Sequence, residues 1–430
     1  MKLHIENFAK ISSADLEFDG LTVVAGDNNT GKSTVGKVLY AIFRALSQLD
    51  KRVFRDRIQT IQRAFRQATN LKLDDVRAKR LLTGQSSLEM IYDEVRKDRM
   101  SYDEFELLFM AAVKEKELSD FAKEDIGKSI HEAQATKSEV ISANLAYKVL
   151  DCVFHHQILP LRKTDKAAKL VLTVQGVDTE ISIQGKKVSF LNGTDLIKKA
   201  RLISSPDVLS LMNIRGIESD PIFQRVFDKY TLELAQELIR ESRLSVTAQE
   251  AIQNRLARIF NALSMVKIGE ITHDEDNDFA VLEDGNDVPT KVENLSMGMK
   301  FFVLLHMMLR QGVLQDKDIL ILDEPENHLH PEWQVVYAHV LVLLQKEFKL
   351  SVLVTSHSQF FVNALQRFAI SEGIMADTHF YMSKLDDSNP GLCTFSDVTN
   401  NAGQIFRSFN RAYDKMSRMS KEFSGEDESS

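Results

Sequence analysis

The sequence Leu21-Thr22-Val23-Val24-Ala25, then Gly26-Asp27-Asn28-Asn29-Thr30-Gly31-Lys32-Ser33, then Thr34-Val35-Gly36-Lys37-Val38-Leu39-Tyr40-Ala41-Ile42-Phe43, leaves few folds open to this chain. The first run is apolar and short, as a buried strand is. The last has helical spacing, and a glycine-bounded loop joins them. Strand, glycine loop and helix together form the context of a phosphate-binding loop. Successive backbone N–H groups turn inward there, and the helix start adds partial positive charge. Gly26 and Gly31 let the backbone turn tightly and approach phosphate oxygens. Residues Gly26, Asp27, Asn28, Asn29, Thr30, Gly31, Lys32, Ser33 and Thr34 are therefore the candidate phosphate cradle. Lys32 is placed for the outer phosphates and the Ser33 hydroxyl for Mg²⁺.

Around this stretch, residues 1–25 read as short strands, with Lys2-Leu3-His4-Ile5 and Ala14-Asp15-Leu16-Glu17-Phe18 alternating and Asp19-Gly20 as a turn. From about residue 45 to 157 the pattern is helical and heavily charged. Residues 51–80 carry ten basic side chains against three acidic ones, although the whole chain has a formal charge of −8. Such a run serves as a solvated helical face, as a contact for an acidic partner, or as a surface for a phosphate backbone, which keeps DNA among the candidate partners. Amphipathic helices are expected near 102–114 and 132–154. Residues 166–192 alternate like an antiparallel meander with turns at Gly176 and Gly185. A strand at 200–206 and a long helical region at 221–263 follow. Strand-like pieces come next at 266–272, 279–282 and 288–292, and the polar residues 420–430 are expected to be disordered.

Two more strand ends carry chemistry. Lys317-Asp318-Ile319-Leu320-Ile321-Leu322-Asp323-Glu324-Pro325 is an apolar run closed by two carboxylates. Asp323 there can hold Mg²⁺ through water, and Glu324 stands where a base or water-orienting group for phosphoanhydride hydrolysis belongs. Ser351-Val352-Leu353-Val354-Thr355-Ser356-His357-Ser358 is a further apolar strand ending in a histidine. Active sites of α/β sheets gather at strand C-termini, so His357 is a candidate γ-phosphate contact. Ser296 is a good N-cap for an apolar helix at 301–309, and Gly298 keeps its start open. His155 and His156, near Cys152, lack further ligands at metal spacing and read as structural. Cys152 and Cys393 are the only cysteines and are far apart, which fits a reducing cytoplasm. No signal peptide opens the chain and no apolar run could span a bilayer, so a cytoplasmic protein without a membrane partner is expected.

In this order the motifs resemble those of ABC-type ATPases of the SMC, Rad-fifty and RecF group. Residues 26–33 match Walker A, Leu295-Ser296-Met297-Gly298-Met299-Lys300 the signature, residues 320–324 Walker B, and Ser356-His357-Ser358 the H-loop. The run Asp323-Glu324-Pro325-Glu326-Asn327-His328-Leu329-His330-Pro331, with Asn7-Phe8, is most like the compact bacterial ATPases of the overcoming-lysogenization-defect and anti-phage defence type, such as PARIS-like or Septu-like subunits.

The resemblance implies an α/β fold, an ABC-type P-loop ATPase head with a mixed sheet flanked by helices. The head would comprise residues 1–45 and 200–400, interrupted by a helical insertion at 46–165 and a small β meander at 166–199. It implies ATP and Mg²⁺ as ligands and two heads sandwiching two ATP molecules, so that the chain is at least a homodimer. Ser296 and Gly298 of one copy would then face the γ-phosphate held by Lys32 of the other, with Glu324 and His357 as catalytic groups. Two departures stand out: no glutamine lies near Ser204-Ser205-Pro206, and His330 stands where many members carry aspartate. After His357, Asp386-Asp387 does not form a spaced carboxylate cluster suited to two metals, so the chain is not expected to be a nuclease itself. The functional expectation is an ATPase sensor controlling a separately encoded effector in anti-phage defence. The alternatives are a DNA-binding repair or recombination ATPase and a nucleotide-gated scaffold with little turnover.

Overall fold

The computed structural model describes residues 1–69, 120–160, 166–185, 187–193, 196, 198–214, 226–239, 246–407, 416 and 419. The helix expected at 102–114, the basic stretch beyond residue 69 and the tail at 420–430 lie outside them.

In chain order the strands are β1 (Lys2–Phe8), β2 (Ile11–Glu17), β3 (Leu21–Gly26), β4 (Ala168–Val174), β5 (Val177–Gln184), β6 (Lys187–Leu191), β7 (Ala200–Ile203), β8 (Glu270–His273), β9 (Phe279–Leu282), β10 (Thr290–Lys291), β11 (Ile319–Asp323), β12 (Ser351–Ser356), β13 (Thr378–Leu385) and β14 (Cys393–Asp397). The helices are α1 (Lys32–Leu46), α2 (Leu49–Thr69), α3 (Asp120–Ala135), α4 (Ser138–Val153), α5 (Val208–Met212), α6 (Lys229–Ile239), α7 (Val246–Leu263), α8 (Met297–Arg310), α9 (Pro331–Phe348) and α10 (Gln359–Ser371).

The chain divides into two compact units. The first comprises Met1–Arg44, Val149–Lys187 and Lys198–Ser430, the second Ala45–Lys148 and Val188–Ile197. The first is an α/β head with a mixed sheet. From β5 the strands run β5-β4-β1-β2-β14-β13-β3-β12-β11-β7. The stretch β13-β3-β12-β11-β7 is parallel throughout. Every residue of β3 is buried, as a strand covered on both faces requires, and the apolar runs of β11 and β12 follow the same rule. The other wing is largely antiparallel. In the segment expected to be a meander, 166–199, β4 and β5 pair antiparallel, and β4 also pairs with β1, so these strands prolong the head's sheet. The mixed sheet flanked by helices, with its strand–loop–helix entry, is the α/β architecture expected.

The core lies between the parallel strands and the apolar helices α8, α9 and α10. Phe302 and Tyr337 pack edge-on with ring centroids 5.3 Å apart, and Phe302 and Trp333 do the same at 5.8 Å. A second sheet, β10-β9-β8, turns at Asp274, whose carboxylate accepts from the backbone N–H of Asp276 and Asp278. Lys291 ion-pairs with all three aspartates.

In the second unit α2 is amphipathic. Leu49, Val53 and Ile58 are buried while Lys51, Arg55 and Arg63 are exposed. Arg57 donates to Thr136 O and Ser138 Oγ, each at 3.2 Å. The helical pattern expected at 132–154 is broken near Lys137, which separates α3 from α4. Among the described residues no helix is long and apolar enough to cross a membrane.

Candidate active site

The loop after β3 is shaped by what lies beneath it. Gly26 has φ +155°, and a Cβ there would stand 2.2 Å from Ser383 Oγ on the neighbouring strand β13. Only glycine tolerates that approach. Gly31 has φ +79°, and Asn29 also takes a left-handed conformation, at +66°. Thr30 Oγ1 donates to Asp27 O at 2.7 Å and lies 2.6 Å from Ser383 Oγ. Lys10, at the β1–β2 turn, donates to Asn29 Oδ1. Asp27, Asn28 and Asn29 are exposed, Thr30, Gly31 and Lys32 buried, and Ser33 and Thr34 half-buried at the start of α1. Gly36 lets that helix lie close on the sheet, since a Cβ there would be 3.0 Å from Ile321.

The carboxylate strand ends beside this loop. In the parallel register Asp323 is level with Thr355, whose hydroxyl donates to Asp323 Oδ1 at 2.5 Å. Glu324 N donates to Thr355 O at 3.1 Å. Glu324 has φ +48°, a strained conformation for a side-chain-bearing residue and one that ends the strand. Its Oε1 lies 3.4 Å from Lys32 Nζ, and its Oε2 accepts from Asn327 Nδ2 at 3.0 Å and lies 3.4 Å from His357 Nδ1. Lys32 Nζ also donates to Asp27 O at 2.9 Å. Burial works to raise the Glu324 pKa. The Lys32 charge, the Asn327 hydrogen bond and His357 together outweigh it and hold the carboxyl below its usual range. An ionised carboxylate able to accept a proton thus stands next to the loop lysine.

Behind His357 is Glu326, almost wholly buried. Its Oε1 accepts from Ser356 Oγ at 2.6 Å and from His357 N at 3.0 Å. Burial pushes its pKa up.

The structure therefore gathers Lys32, Glu324 and His357, and ties Asp323 to them through Thr355. Asp323 and Ser33, both half-buried at element ends, are hard oxygen donors of the kind that Mg²⁺ takes. Ser296 takes part in none of these bonds. It caps α8, its hydroxyl accepting from Met299 N at 3.2 Å. Gly298 faces its own chain, because a Cβ there would lie 2.9 Å from His328 O and 3.3 Å from the Trp333 ring. His155 pairs with Asp228 at 3.1 Å and His156 with Asp151 at 2.6 Å.

Sequence reasoning missed Ser383, Thr355, Asn327 and Glu326. Ser383 rides on β13, whose Thr378, Phe380 and Tyr381 are residue types enriched in strands and were a legible signal. Glu326 had no such mark, since burial of a glutamate two residues past Glu324 depends on the tertiary fold. At the tip of β7, where a glutamine is lacking, Ser204 Oγ donates to Tyr230 OH at 3.2 Å, and Tyr230 OH donates to Asp228 Oδ2 at 2.5 Å.

Among solved structures the chain is similar to the SMC head domain from Thermotoga maritima, at 11% identity and a TM-score of 0.39, over 92% of this chain and 98% of that one. It is also similar to an SmcHead bound to the C-winged helix domain of ScpA, at 12% identity and 0.43, over 94% and 98%. A third is an Smc head domain with an extended coiled coil bound to the C-terminal domain of ScpA derived from Pyrococcus furiosus, at 12% and 0.39, over 95% and 98%. No curated protein matches the sequence. The family described as AAA ATPase domain matches residues 1–362, a span that holds the loop, the carboxylate strand and the histidine. The chain belongs to the AAA ATPase domain family.

Proposed function

We propose that the chain binds ATP with Mg²⁺ on the loop after β3 and hydrolyses it to ADP and phosphate. The observation that carries this is the meeting of Lys32 and His357 at Glu324, whose Oε1 lies 3.4 Å from Lys32 Nζ and whose Oε2 lies 3.4 Å from His357 Nδ1. Backbone N–H groups of residues 26–34 and the Lys32 ammonium hold the phosphates. Ser33 and Asp323 would hold Mg²⁺, which supplies charge neutralisation between the outer phosphates when bound. Lys32 exchanges its contacts with Asp27 O and Glu324 for phosphate oxygens, which leaves Glu324 to face water. Glu324 orients that water and takes its proton as the new P–O bond forms and the bond to the ADP oxygen breaks. His357 faces the same phosphate. This requires an ionised Glu324, which the depressed pKa supplies.

Ser296 and Gly298 at the start of α8 are assigned to the γ-phosphate of a second copy. A helix start carries donors and positive dipole, and Ser296 is exposed. The similarity of residues 323–331 to compact defence ATPases supports a sensor subunit that governs a separately encoded effector. Phosphate release from ATP tests the chemistry. Lys32→Ala and Glu324→Gln are each expected to lower turnover by about 100-fold or more, with Glu324→Gln still binding ATP. Turnover equal to wild type in either variant would contradict it.

A further inference from the structure

Glu326 plays no part in the reaction described above, yet it is the most deeply buried carboxylate beside it, 3% exposed. Burying a carboxylate costs free energy unless it is hydrogen-bonded, so its retention calls for a partner worth holding. The partners are specific. Ser356 Oγ and the backbone N–H of His357 both donate to the single oxygen Oε1, at 2.6 and 3.0 Å. The other oxygen, Oε2, has no hydrogen-bond partner among the described residues. Oε1 also stands 3.8 Å from His357 Nδ1, the ring atom that faces Glu324 Oε2 at 3.4 Å. Ser356 in turn accepts from Ser358 N at 3.0 Å, so the strand end is bonded on both sides of the histidine.

We propose that Glu326 is a positioning residue that fixes the His357 main chain, and through it the place of the ring, beside Glu324. Resting on the ATPase reading, it names what sets the geometry of that site. Glu326 lies on the short turn between β11 and α9, and His357 follows β12. The carboxylate is thus a side-chain tie between two strand ends, beyond the last backbone bond between them, Glu324 N to Thr355 O. Its contacts require one acceptor oxygen, not a charge.

Steady-state ATP turnover of Glu326→Gln and Glu326→Leu tests this. The amide oxygen of Glu326→Gln accepts the same two donors, so kcat is expected within about threefold of wild type. Glu326→Leu leaves both donors unpaired and is expected to lose about tenfold or more in kcat, with KM for ATP within about threefold. Ser356→Ala, which keeps the carboxylate, serves if Glu326→Leu does not fold, with an expected kcat loss of about three- to tenfold. Wild-type kcat in the leucine or alanine variant, equal damage from glutamine and leucine, or a loss confined to KM would each overturn the inference. When wild type turns over, Glu324→Gln does not and Glu326→Leu equals wild type, the positioning role alone falls. Absence of wild-type turnover removes the ATPase reading and this role with it.

Discussion

At the scale of single residues, charge is handled by local pairing. Glu372 is the clearest case outside the nucleotide site. It closes α10 and accepts from Lys346 at 2.8 Å, Arg258 at 3.0 Å and His339 at 3.3 Å, which joins α7, α9 and α10. The Lys346 hydrogen bond, with His339 and Arg258, brings its pKa down to about 2 against the opposing pull of burial. A depressed carboxylate contributes stability that is present in full above its unfolded value, ~4.3, and is lost as pH falls through the folded value. Wild type should therefore exceed Glu372→Gln in denaturant stability at pH 6 by on the order of 1 kcal/mol. The gap should close between about pH 4 and 2. A gap constant across that window would contradict the pairing. Lys32 and Glu324 were legible as candidate site residues because motif spacing marks them, and the fold brings them within 3.4 Å. Glu326 was not, since its importance comes from burial and from two donors thirty residues downstream.

At the scale of elements, the turn between β11 and α9 joins several parts of the site. It carries Glu324, then Glu326 beneath His357, then His328 and Leu329 against Gly298 of α8. Gly298 therefore has a reason within its own chain. Adding a methyl group 2.9 Å from the His328 carbonyl forces α8 or the turn to move. Gly298→Ala is expected to cost about 1–3 kcal/mol in thermal or denaturant unfolding and to lower ATP turnover as the turn shifts. Unchanged stability and turnover would show that the packing has slack. Gly26→Ala meets a harder obstacle, 2.2 Å from Ser383 Oγ, and is expected to abolish ATP binding measured by a fluorescent analogue. The parallel strands β3, β11 and β12 were read correctly from their apolar runs, because strands buried on both faces have that composition, whereas β13 was not read. The place of β4 was not legible. Alternation gives a strand two faces but does not name its hydrogen-bonding neighbour, and β1 lies more than 150 residues away in sequence.

At the scale of the whole molecule, the order of motifs along the chain predicted one α/β head with a large interruption. The structure gives a head unit and a second unit drawn from within it. The exposed Ser296 at the α8 cap carries the proposal of a site shared by two copies. Mixing Lys32→Ala with Ser296→Ala chains should restore part of the turnover that each lacks alone, since one intact site forms per mixed dimer. Additive inactivity would exclude the shared site. The claim on which all the others rest is that Glu324 at the end of β11 drives cleavage of ATP bound on the loop after β3. Single-turnover cleavage of γ-labelled ATP, with enzyme in excess and Mg²⁺ present, tests it most directly. The expected result is rapid conversion to ADP by wild type and retention of intact, bound ATP by Glu324→Gln; equal cleavage by the two proteins would contradict it.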